Sequence, residues 1–364
     1  MTQRYLLLGL ALLFLVPPLE AREDVSLEAR LAKVDELLRQ KFPTDAPGAA
    51  VLIVADGKIV LHKGYGLADV ERKLPISPQT QFDLASVSKQ FTALAVLILH
   101  ERGQLSLDDD VRKYLPELPE YDAKRPIRVR DLVCHTSGIK DYLFVWKGTD
   151  AEFARLHNED MLPLLARQKL AFPTGSKWAY SNSNYLLLPI IVQRVTAKPF
   201  RQFLQEEIFT PLAMTNTVLF DCMHCQVPHR AKGYSKTKDG WKHVAKDSPI
   251  MGDGNIFTCT EDLAKWDAAW RDGKLLKPET RKLAWTPGKL NDGKDHNYAC
   301  GWMVSRKDGK LVVGHGGGWT GTRTEITRWV DDRITLVLLC NDEGRAPQAL
   351  RQQIAKLLFP EPTK

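Results

Sequence analysis

A serine followed three positions later by a lysine occurs three times in the chain, and one copy stands where it can do chemistry. Ser86 and Lys89 precede residues 91–99, a segment so uniformly apolar that it predicts a helix buried on every side. Residues three apart share a helix face, so the Lys89 amine can reach the Ser86 hydroxyl. A helix N-terminus also offers free N–H groups and a partial positive charge, which favour a developing oxyanion. The pattern therefore indicates a serine nucleophile for ester or amide carbonyls.

The other two copies, Ser137–Lys140 and Ser235–Lys238, lack this setting. Ser137 falls in a predicted loop, and Ser235 lies in a polar stretch with nothing to bury it. Because the pattern is short, about one match is expected by chance from residue frequencies alone. For Ser86 the alternative is a helix-capping serine beside a lysine that is merely solvated, so the pattern needs support from elsewhere in the chain.

That support is a second polar segment, which ends in the only Tyr-x-Asn of the chain. Tyr180 and Asn182 stand just before an apolar run, residues 186–195, that predicts another helix. A tyrosine beside a cation can pass a proton to a leaving group. An amide can hold a substrate carbonyl without changing its charge. Ser86, Lys89 and Tyr180 are therefore the predicted catalytic residues, and Asn182 is a predicted substrate contact.

These motifs resemble those of the β-lactamase-related serine hydrolases, which include class C β-lactamases, D-alanyl-D-alanine carboxypeptidases, family VIII esterases and D-aminopeptidases. Residues 103–109 resemble the family's segment after the nucleophile helix, and residues 130–139 resemble its L-L-x-H-T-S-G segment. Residues 173–182 resemble its P-G-x-x-x-x-Y-S-N box, with Thr174 where proline is usual. The resemblance covers nearly the whole chain after residue 21. It implies a structural role for the Ser137–Lys140 copy.

The third motif of this family is Lys-Thr-Gly, or His-x-Gly in many relatives. Lys-Thr-Gly is absent here, whereas His315-Gly-Gly317 ends a predicted strand and fits the family's order. An earlier His-x-Gly, residues 62–64, is interpreted as incidental. The resemblance implies that the glycines let substrate approach closely and that the N–H groups of Ser86 and Gly318 form the oxyanion hole. His315, Gly317 and Gly318 are therefore predicted substrate-binding residues.

A histidine in the third motif changes the expected substrate. His315 would be largely neutral near pH 7, whereas lysine offers a permanent charge to the carboxylate of a β-lactam or peptide. Efficient β-lactam hydrolysis is therefore not expected. Arg323 is either a substitute carboxylate anchor, through a bidentate contact, or a surface arginine on a strand edge.

Several functions stay open at this point. One is hydrolysis of D-amino-acid peptides or peptidoglycan fragments, a second is a carboxylesterase, and a β-lactamase is the alternative enzyme. A catalytically silent envelope protein that binds cell-wall fragments is the non-enzymatic reading. A binding protein has no need for Ser86, Lys89 and Tyr180 together, so an exported serine hydrolase is the preferred interpretation. Its acyl-enzyme mechanism requires neither metal nor organic cofactor.

Strand and helix patterns predict a fold of the α/β (α+β) class. Two β-rich runs near the front are joined by Asp56-Gly57, a strong hairpin signal. Four strand-length runs follow near the end, and one antiparallel sheet built from both ends of the chain is the economical arrangement. The resemblance implies a β-lactamase/transpeptidase-like fold, with a sheet lobe (about 22–85 and 298–364) and a helical lobe (about 86–297). The predicted strands are 48–54, 58–65, 300–305, 311–315, 323–330 and 334–340, and the predicted terminal helices are 26–42 and 347–359.

The N-terminus predicts export. Arg4 precedes a twelve-residue apolar run, 5–16, which is too short to span a bilayer comfortably, and Ala21 suits a cleavage site. Residues 1–21 are therefore a predicted signal peptide and the mature protein is predicted to be periplasmic or secreted, with an uncleaved anchor as the alternative. The net charge of +7 is scattered along the chain, and no nucleic-acid-binding signature accompanies it. The expected partner is a small-molecule or peptide substrate.

Six cysteines allow fifteen disulfide connectivities. Cys222-Met-His-Cys225 looks like half of a metal site whose second half is missing, so a local disulfide or two free thiols is preferred and no metal is predicted. Cys340 ends an apolar strand and is predicted to be a small core residue.

Overall fold

The computed structural model describes residues 26–359, so the predicted signal peptide lies outside the described residues. The strands are β1 (Ala49–Ala55), β2 (Lys58–Tyr65), β3 (Leu67–Asp69), β4 (Leu74–Pro75), β5 (Phe82–Asp83), β6 (Val218–Leu219), β7 (Tyr234–Thr237), β8 (Gly240–His243), β9 (Ile256–Thr258), β10 (Tyr298–Ala299), β11 (Trp302–Lys307), β12 (Lys310–Trp319), β13 (Thr322–Trp329) and β14 (Ile334–Cys340). The α-helices are α1 (Leu27–Lys41), α2 (Lys89–Glu101), α3 (Val129–Val133), α4 (Tyr142–Val145), α5 (Asp150–Phe153), α6 (Asn158–Ala166), α7 (Asn182–Thr196), α8 (Phe200–Leu204), α9 (Thr260–Asp272), α10 (Pro278–Ala284) and α11 (Pro347–Leu358).

The main sheet has seven antiparallel strands in the order β10-β11-β12-β13-β14-β1-β2. The two ends of the chain meet inside it, because β1 pairs with β14 on one side and with β2 on the other. Asp56 and Gly57 join β1 to β2 with positive φ values of 49° and 78°, as the hairpin signal predicted. The predicted fold class, an antiparallel sheet flanked by helices, is confirmed.

Both faces of the sheet are covered, since successive side chains of a strand point to opposite faces. Ala50 and Leu52 of β1 belong to the large core beneath the central helices, whereas Val51 and Ile53 belong to a second core under α1 and α11. Helix α2 is buried from Lys89 to Leu99, which confirms the prediction of a helix enclosed on every side.

The middle of the chain differs from the sequence expectation in one respect. The resemblance placed a helical lobe at about 86–297, but strands also occur there: β6 and β9 form a small sheet with β5, and β7 pairs with β8 as a hairpin. Tyr234 of β7 is fully buried, and its hydroxyl donates to Glu71 Oε2 (2.6 Å) and accepts the Val70 N–H (2.8 Å). The expectation that nothing buries this polar stretch is therefore wrong for Tyr234, whose partners come from a distant part of the chain, but residues 236–239 are exposed as expected. The proposed lobe boundaries stay a prediction.

Two expectations concerned the cysteines, and a further finding concerns the helices. Cys222 and Cys225 form a disulfide, so their sulfurs are bonded to each other. Cys340 is fully buried, as predicted for a small core residue. Among residues 26–359, no helix has the length and apolarity needed to cross a bilayer.

Candidate active site

A strained turn between β5 and α2 positions Ser86. Residues 85–88 form one 3-10 turn, and α2 continues from Lys89. Ala85 has a φ of 46°, in the left-handed region that non-glycine residues seldom adopt, and its N–H donates to Asp83 Oδ1 at 2.8 Å. Such backbone strain concentrates at functional sites. The sequence predicted Ser86 in the first α-helical turn; the structure places it one tighter turn earlier, with its side chain in a cavity.

Lys89 lies directly beside the Ser86 hydroxyl. Its side chain is fully buried, and Nζ donates to Ser86 Oγ (3.3 Å), Asn182 Oδ1 (2.9 Å) and the backbone oxygen of Asp253 (2.7 Å). Three oxygens therefore surround Lys89 Nζ and fix its position. The lysine amine is therefore held within reach of the serine proton, as the spacing predicted.

Tyr180 and Asn182 approach the same lysine from the start of α7. Lys89 Nζ is 5.0 Å from the centroid of the Tyr180 ring, and the Tyr180 hydroxyl is buried with no hydrogen-bond partner among residues 26–359. Asn182 donates to Asp141 Oδ2 through both its backbone N (2.9 Å) and Nδ2 (2.8 Å). Those bonds orient its side-chain oxygen toward Lys89. The structure thus brings together the four residues predicted from the first two motifs.

His135 supports the tyrosine loop and was not singled out as a site residue. Its ring lies 4.4 Å from the Tyr180 ring, and Nδ1 accepts hydrogen bonds from the backbone N–H of Ser181 (3.2 Å) and from Asn184 Nδ2 (3.0 Å). Burial and the nearby Lys89 cation hold the pKa of His135 well below its ordinary value, which keeps the imidazole neutral. The only sequence signal for this role was the His-Thr-Ser-Gly segment of the resemblance.

The other two Ser-x-x-Lys copies have different surroundings. Ser137 donates to Asn184 Oδ1 (2.5 Å) and accepts the Ile139 N–H (3.0 Å), while Lys140 is exposed. Ser235 lies on the β7–β8 hairpin. Neither serine lines the cavity at Ser86.

His315 lies on β12 and is nearly buried. Its Nδ1 is 2.7 Å from the Gly316 carbonyl and its Nε2 is 3.0 Å from the Tyr298 hydroxyl, which fits a neutral ring that donates through Nδ1 and accepts through Nε2. Burial, followed by repulsion from Lys89, lowers the pKa of His315 to about 3. The histidine is therefore neutral near pH 7, as the sequence predicted. Its ring centroid is 6.1 Å from that of Tyr180.

Of the three glycines after His315, Gly317 and Gly318 let β12 run close to the turn that carries Ser86. A Cβ at Gly317 would lie 2.3 Å from the Leu84 carbonyl oxygen and 2.2 Å from Thr324 Oγ1, so no larger residue fits. Gly318 lines the cavity together with Ser86. Their proximity is compatible with the predicted pair of oxyanion-hole N–H groups.

Arg323 does not line this cavity. It faces Gly318 across the β12–β13 pairing, and its Nη1 donates to the backbone oxygens of Trp319 (2.6 Å) and Thr322 (2.7 Å). These bonds brace the turn between the two strands. The placement favours the alternative of a structural strand arginine over that of a carboxylate anchor.

The cavity at Ser86 has a volume of about 100 Å³ and acidic walls. Asp83 and Asp253 line it, and neither arginine nor lysine is among its lining residues. Tyr142 donates to Asp253 Oδ2 at 2.9 Å. Burial raises the pKa of Asp83 and that of Asp253 to about 6 each. Sequence reasoning missed both carboxyl groups, because only the fold brings residues 83 and 253 to one cavity.

Comparisons with known proteins agree with this architecture. A family model described as Beta-lactamase matches residues 34–359. Penicillin-binding protein 4* of Bacillus subtilis (strain 168) is 30% identical over 331 residues, which cover 86% of this chain and 72% of that protein. A D-aminopeptidase of Gluconobacter oxydans (strain 621H) is 28% identical over 337 residues, which cover 92% of this chain but only 62% of the longer relative.

Among solved structures, an octameric penicillin-binding protein homologue from Pyrococcus abyssi superposes with a TM-score of 0.78 at 25% sequence identity. The match covers 90% of this chain and 77% of that one. The family model and the Bacillus relative each span most of the chain. The chain therefore belongs to the β-lactamase family of serine hydrolases.

Proposed function

We propose that this protein is an exported serine hydrolase that cleaves a small ester or a D-amino-acid peptide through an acyl group on Ser86. The observation that carries the proposal is the buried Lys89 amine, 3.3 Å from Ser86 Oγ at the wall of a cavity. A buried amine that hydrogen-bonds a cavity-facing hydroxyl is the pairing that serine activation requires. Tyr180 and Asn182 also lie beside the Lys89 amine, so the proposed proton donor and substrate contact meet at the same place.

The proposed reaction has two halves. In the first, Ser86 Oγ attacks the carbonyl as its one proton passes to the neutral Lys89 amine, and the N–H groups of Ser86 and Gly318 stabilise the oxyanion. As the carbon–oxygen or carbon–nitrogen bond breaks, the buried hydroxyl of Tyr180 gives its proton to the leaving group and regains one from Lys89. In the second half, water attacks the acyl-enzyme and the same groups return the proton to Ser86.

The walls of the cavity support a neutral or amine-bearing substrate. Asp83 and Asp253 would repel the carboxylate of a β-lactam or of a C-terminal peptide, and the neutral His315 offers no charge to offset them. An ammonium on the acyl group would instead be attracted. The D-aminopeptidase relative fits this preference by its name. The β-lactamase alternative is therefore the less favoured enzyme.

The silent envelope protein remains the non-enzymatic alternative. A protein that only bound wall fragments would gain nothing from a buried, costly cation beside a serine hydroxyl. Export to the periplasm or the medium is proposed from residues 1–21 alone, and recovery of a mature N-terminus near Arg22 would support it.

A substrate panel tests the proposal. p-Nitrophenyl esters, D-aminoacyl p-nitroanilides, D-Ala-D-Ala peptides and a chromogenic cephalosporin are assayed with the unmodified protein, Ser86→Ala and Ser235→Ala. We expect turnover of an ester or aminoacyl amide that is lost in Ser86→Ala and kept in Ser235→Ala. Equal turnover in Ser86→Ala would reject the nucleophile, and fastest turnover of the cephalosporin would make the protein a β-lactamase.

A further inference from the structure

A second cavity, with a volume of about 270 Å³, lies outside the active site. It forms where α9 and the segment after α10 meet the hairpin turn of β1–β2 and the turn of β13–β14. It shares no lining residue with the cavity at Ser86. Because it is larger than the catalytic cavity and none of its residues serves the proposed reaction, its walls need a separate explanation.

Guanidinium groups dominate those walls. Asp267 is the one carboxylate among the lining residues, and it is already engaged by Arg328 (2.6 Å), Arg271 (3.3 Å) and the Thr335 hydroxyl (2.5 Å). Asp56 pairs with Arg333 (2.7 Å) and Asp272 with Arg271 (3.0 Å), so three carboxylates face four guanidinium groups and a small excess of positive charge remains. The four arginines are Arg271, Arg281, Arg328 and Arg333.

Several buried N–H donors of these walls have no acceptor among residues 26–359. They are Arg328 Nε, Trp270 Nε1 and Trp285 Nε1. The Arg328 side chain is only 8% exposed. Buried donors without a partner are uncommon in folded proteins, and each marks a place where an acceptor atom is needed. The Trp270 and Trp285 rings also stack on each other, with centroids 5.4 Å apart, and present apolar surface beside these donors.

Two glycines leave room for the guanidinium groups. A Cβ at Gly57 would lie 3.1 Å from Arg271 Cζ, and a Cβ at Gly273 would lie 2.5 Å from Arg281 Nη1. Both glycines have positive φ, 78° and 67°, at the β1–β2 turn and the end of α9. The β1–β2 turn therefore lines the cavity through Gly57 and also admits Arg271, while the end of α9 admits Arg281.

We propose that this cavity is a binding site for a small oxyanion, a carboxylate or phosphoryl group, carried on an apolar body. Guanidinium groups offer planar, paired donors that match the oxygens of both anions. The unpartnered Arg328 Nε and indole N–H groups supply further donors, and the tryptophan rings supply contact for the apolar part. The site is independent of the nucleophile, so binding there requires no turnover.

Calorimetric titration of the Ser86→Ala protein tests this inference without catalysis. The probes are inorganic phosphate, phenyl phosphate and benzoate, with benzamide as the uncharged counterpart of benzoate. We expect one site per chain for phenyl phosphate or benzoate, and whichever binds more tightly identifies the phosphoryl or the carboxylate source. Quenching of tryptophan fluorescence should accompany binding, because Trp270 and Trp285 line the cavity.

Arginine variants made in the Ser86→Ala background decide whether this cavity is the site. Arg271→Gln and Arg281→Gln should each weaken binding about tenfold or more, which corresponds to the loss of one charged hydrogen bond. Arg39→Gln removes an exposed arginine of α1 and is the matched control, which should bind as the parent does. Arg281→Lys keeps the charge but loses the planar pair of donors, so an intermediate affinity is expected.

Three outcomes would overturn the inference. The first is that none of the three oxyanions binds at millimolar concentration. The second is that benzamide binds as tightly as benzoate, because the walls would then not be selecting charge. The third is that Arg271→Gln and Arg281→Gln weaken binding no more than Arg39→Gln does.

Discussion

The two cavities of this molecule are lined by side chains of opposite charge. At Ser86 the walls carry two carboxyl groups, those of Asp83 and Asp253, with the Lys89 amine behind the serine. The second cavity is lined by four arginines and one carboxylate. The net charge of +7 describes neither of them. A ligand responds to the groups within a few ångströms, because charge farther away is screened by solvent and salt. The sign of a substrate must therefore be inferred from the walls of its own cavity.

The buried cations of the two regions are also held differently. Arg328 forms an ion pair with the buried carboxylate of Asp267. Lys89 instead gives its hydrogen bonds to neutral oxygens, those of Ser86, Asn182 and the Asp253 backbone. A buried amine that contacts a serine hydroxyl, rather than a paired carboxylate, is characteristic of a functional site. This contrast supports the proposal of chemistry in the first cavity and binding in the second.

The largest expected effect is on kcat, which should depend on the first cavity and not on the second. Ser86→Ala should lower kcat by about four orders of magnitude or more, the scale seen when a nucleophile is removed. Arg281→Gln should leave kcat within about twofold, because the second cavity takes no part in the reaction. Steady-state kinetics on a p-nitrophenyl ester measures both. A large loss of kcat in Arg281→Gln would break the division of roles.

The next prediction compares kcat/KM for neutral esters with kcat/KM for β-lactams, which carry a carboxylate. Short esters should exceed β-lactams in kcat/KM by about a hundredfold or more, equivalent to about 2.7 kcal/mol of transition-state stabilisation. His315→Lys should narrow that gap by restoring a fixed charge, and Asp253→Asn should narrow it by removing a repulsive one. Arg323→Ala should affect both substrates alike, since its guanidinium braces a turn. Equal rates for cephalosporins and esters in the unmodified protein would refute the interpretation of the acidic walls.

The acidic walls also predict a pH-dependent preference. Asp83 and Asp253 have pKa values of about 6, so they are charged at pH 7.5 and largely neutral at pH 5. The ratio of kcat/KM for an amine-bearing ester to that for a matched neutral ester should therefore fall as the pH drops through about 6. Asp253→Asn should flatten this profile. A ratio that stays constant in the unmodified protein would contradict attraction by these carboxyl groups.

The smallest expected effect is on stability. Folding raises the pKa of Asp83 from 3.8 to about 6, so between these values the folded protein holds a proton that the unfolded chain has released. Ionisation of Asp83 therefore lowers the free energy of unfolding more at pH 7.5 than at pH 5. Asp83→Asn should raise the free energy of unfolding at pH 7.5 by about 1–2 kcal/mol and change it little at pH 4.

Denaturant titrations at the two pH values measure this difference. Asp45→Asn, at an exposed position of the loop between α1 and β1, is the control and should show no comparable pH dependence. A variant Asp83→Asn that is destabilised equally at both pH values would show that hydrogen bonding to Ala85, rather than burial of charge, dominates at this position.

Features that depend on short stretches of chain were predictable from the sequence. Apolar strand-length runs and the Asp56-Gly57 turn located the main sheet, and two short motifs located Ser86, Lys89, Tyr180 and Asn182. In each case the signal lies within a few residues, where backbone geometry fixes which side chains meet.

Features that depend on contacts between distant segments were not predictable. Asp83 and Asp253 reach one cavity only because β5 pairs with β9. Tyr234 is buried by the distant Glu71 and Val70. The arginines of the second cavity are separated by more than fifty residues of chain, from Arg271 to Arg333, and individually look like surface residues. No local pattern records such encounters.

The identity of the nucleophile is the central claim, and covalent labelling tests it most directly. A serine-directed phosphonate is incubated with the unmodified protein, and the modified residue is located by peptide mass mapping. One label is expected, on Ser86, because it alone of the three Ser-x-x-Lys serines combines a hydrogen bond from its lysine with a place in the cavity wall. Ser86→Ala should take up none. A label on Ser137 or Ser235, or undiminished labelling of Ser86→Ala, would contradict the account.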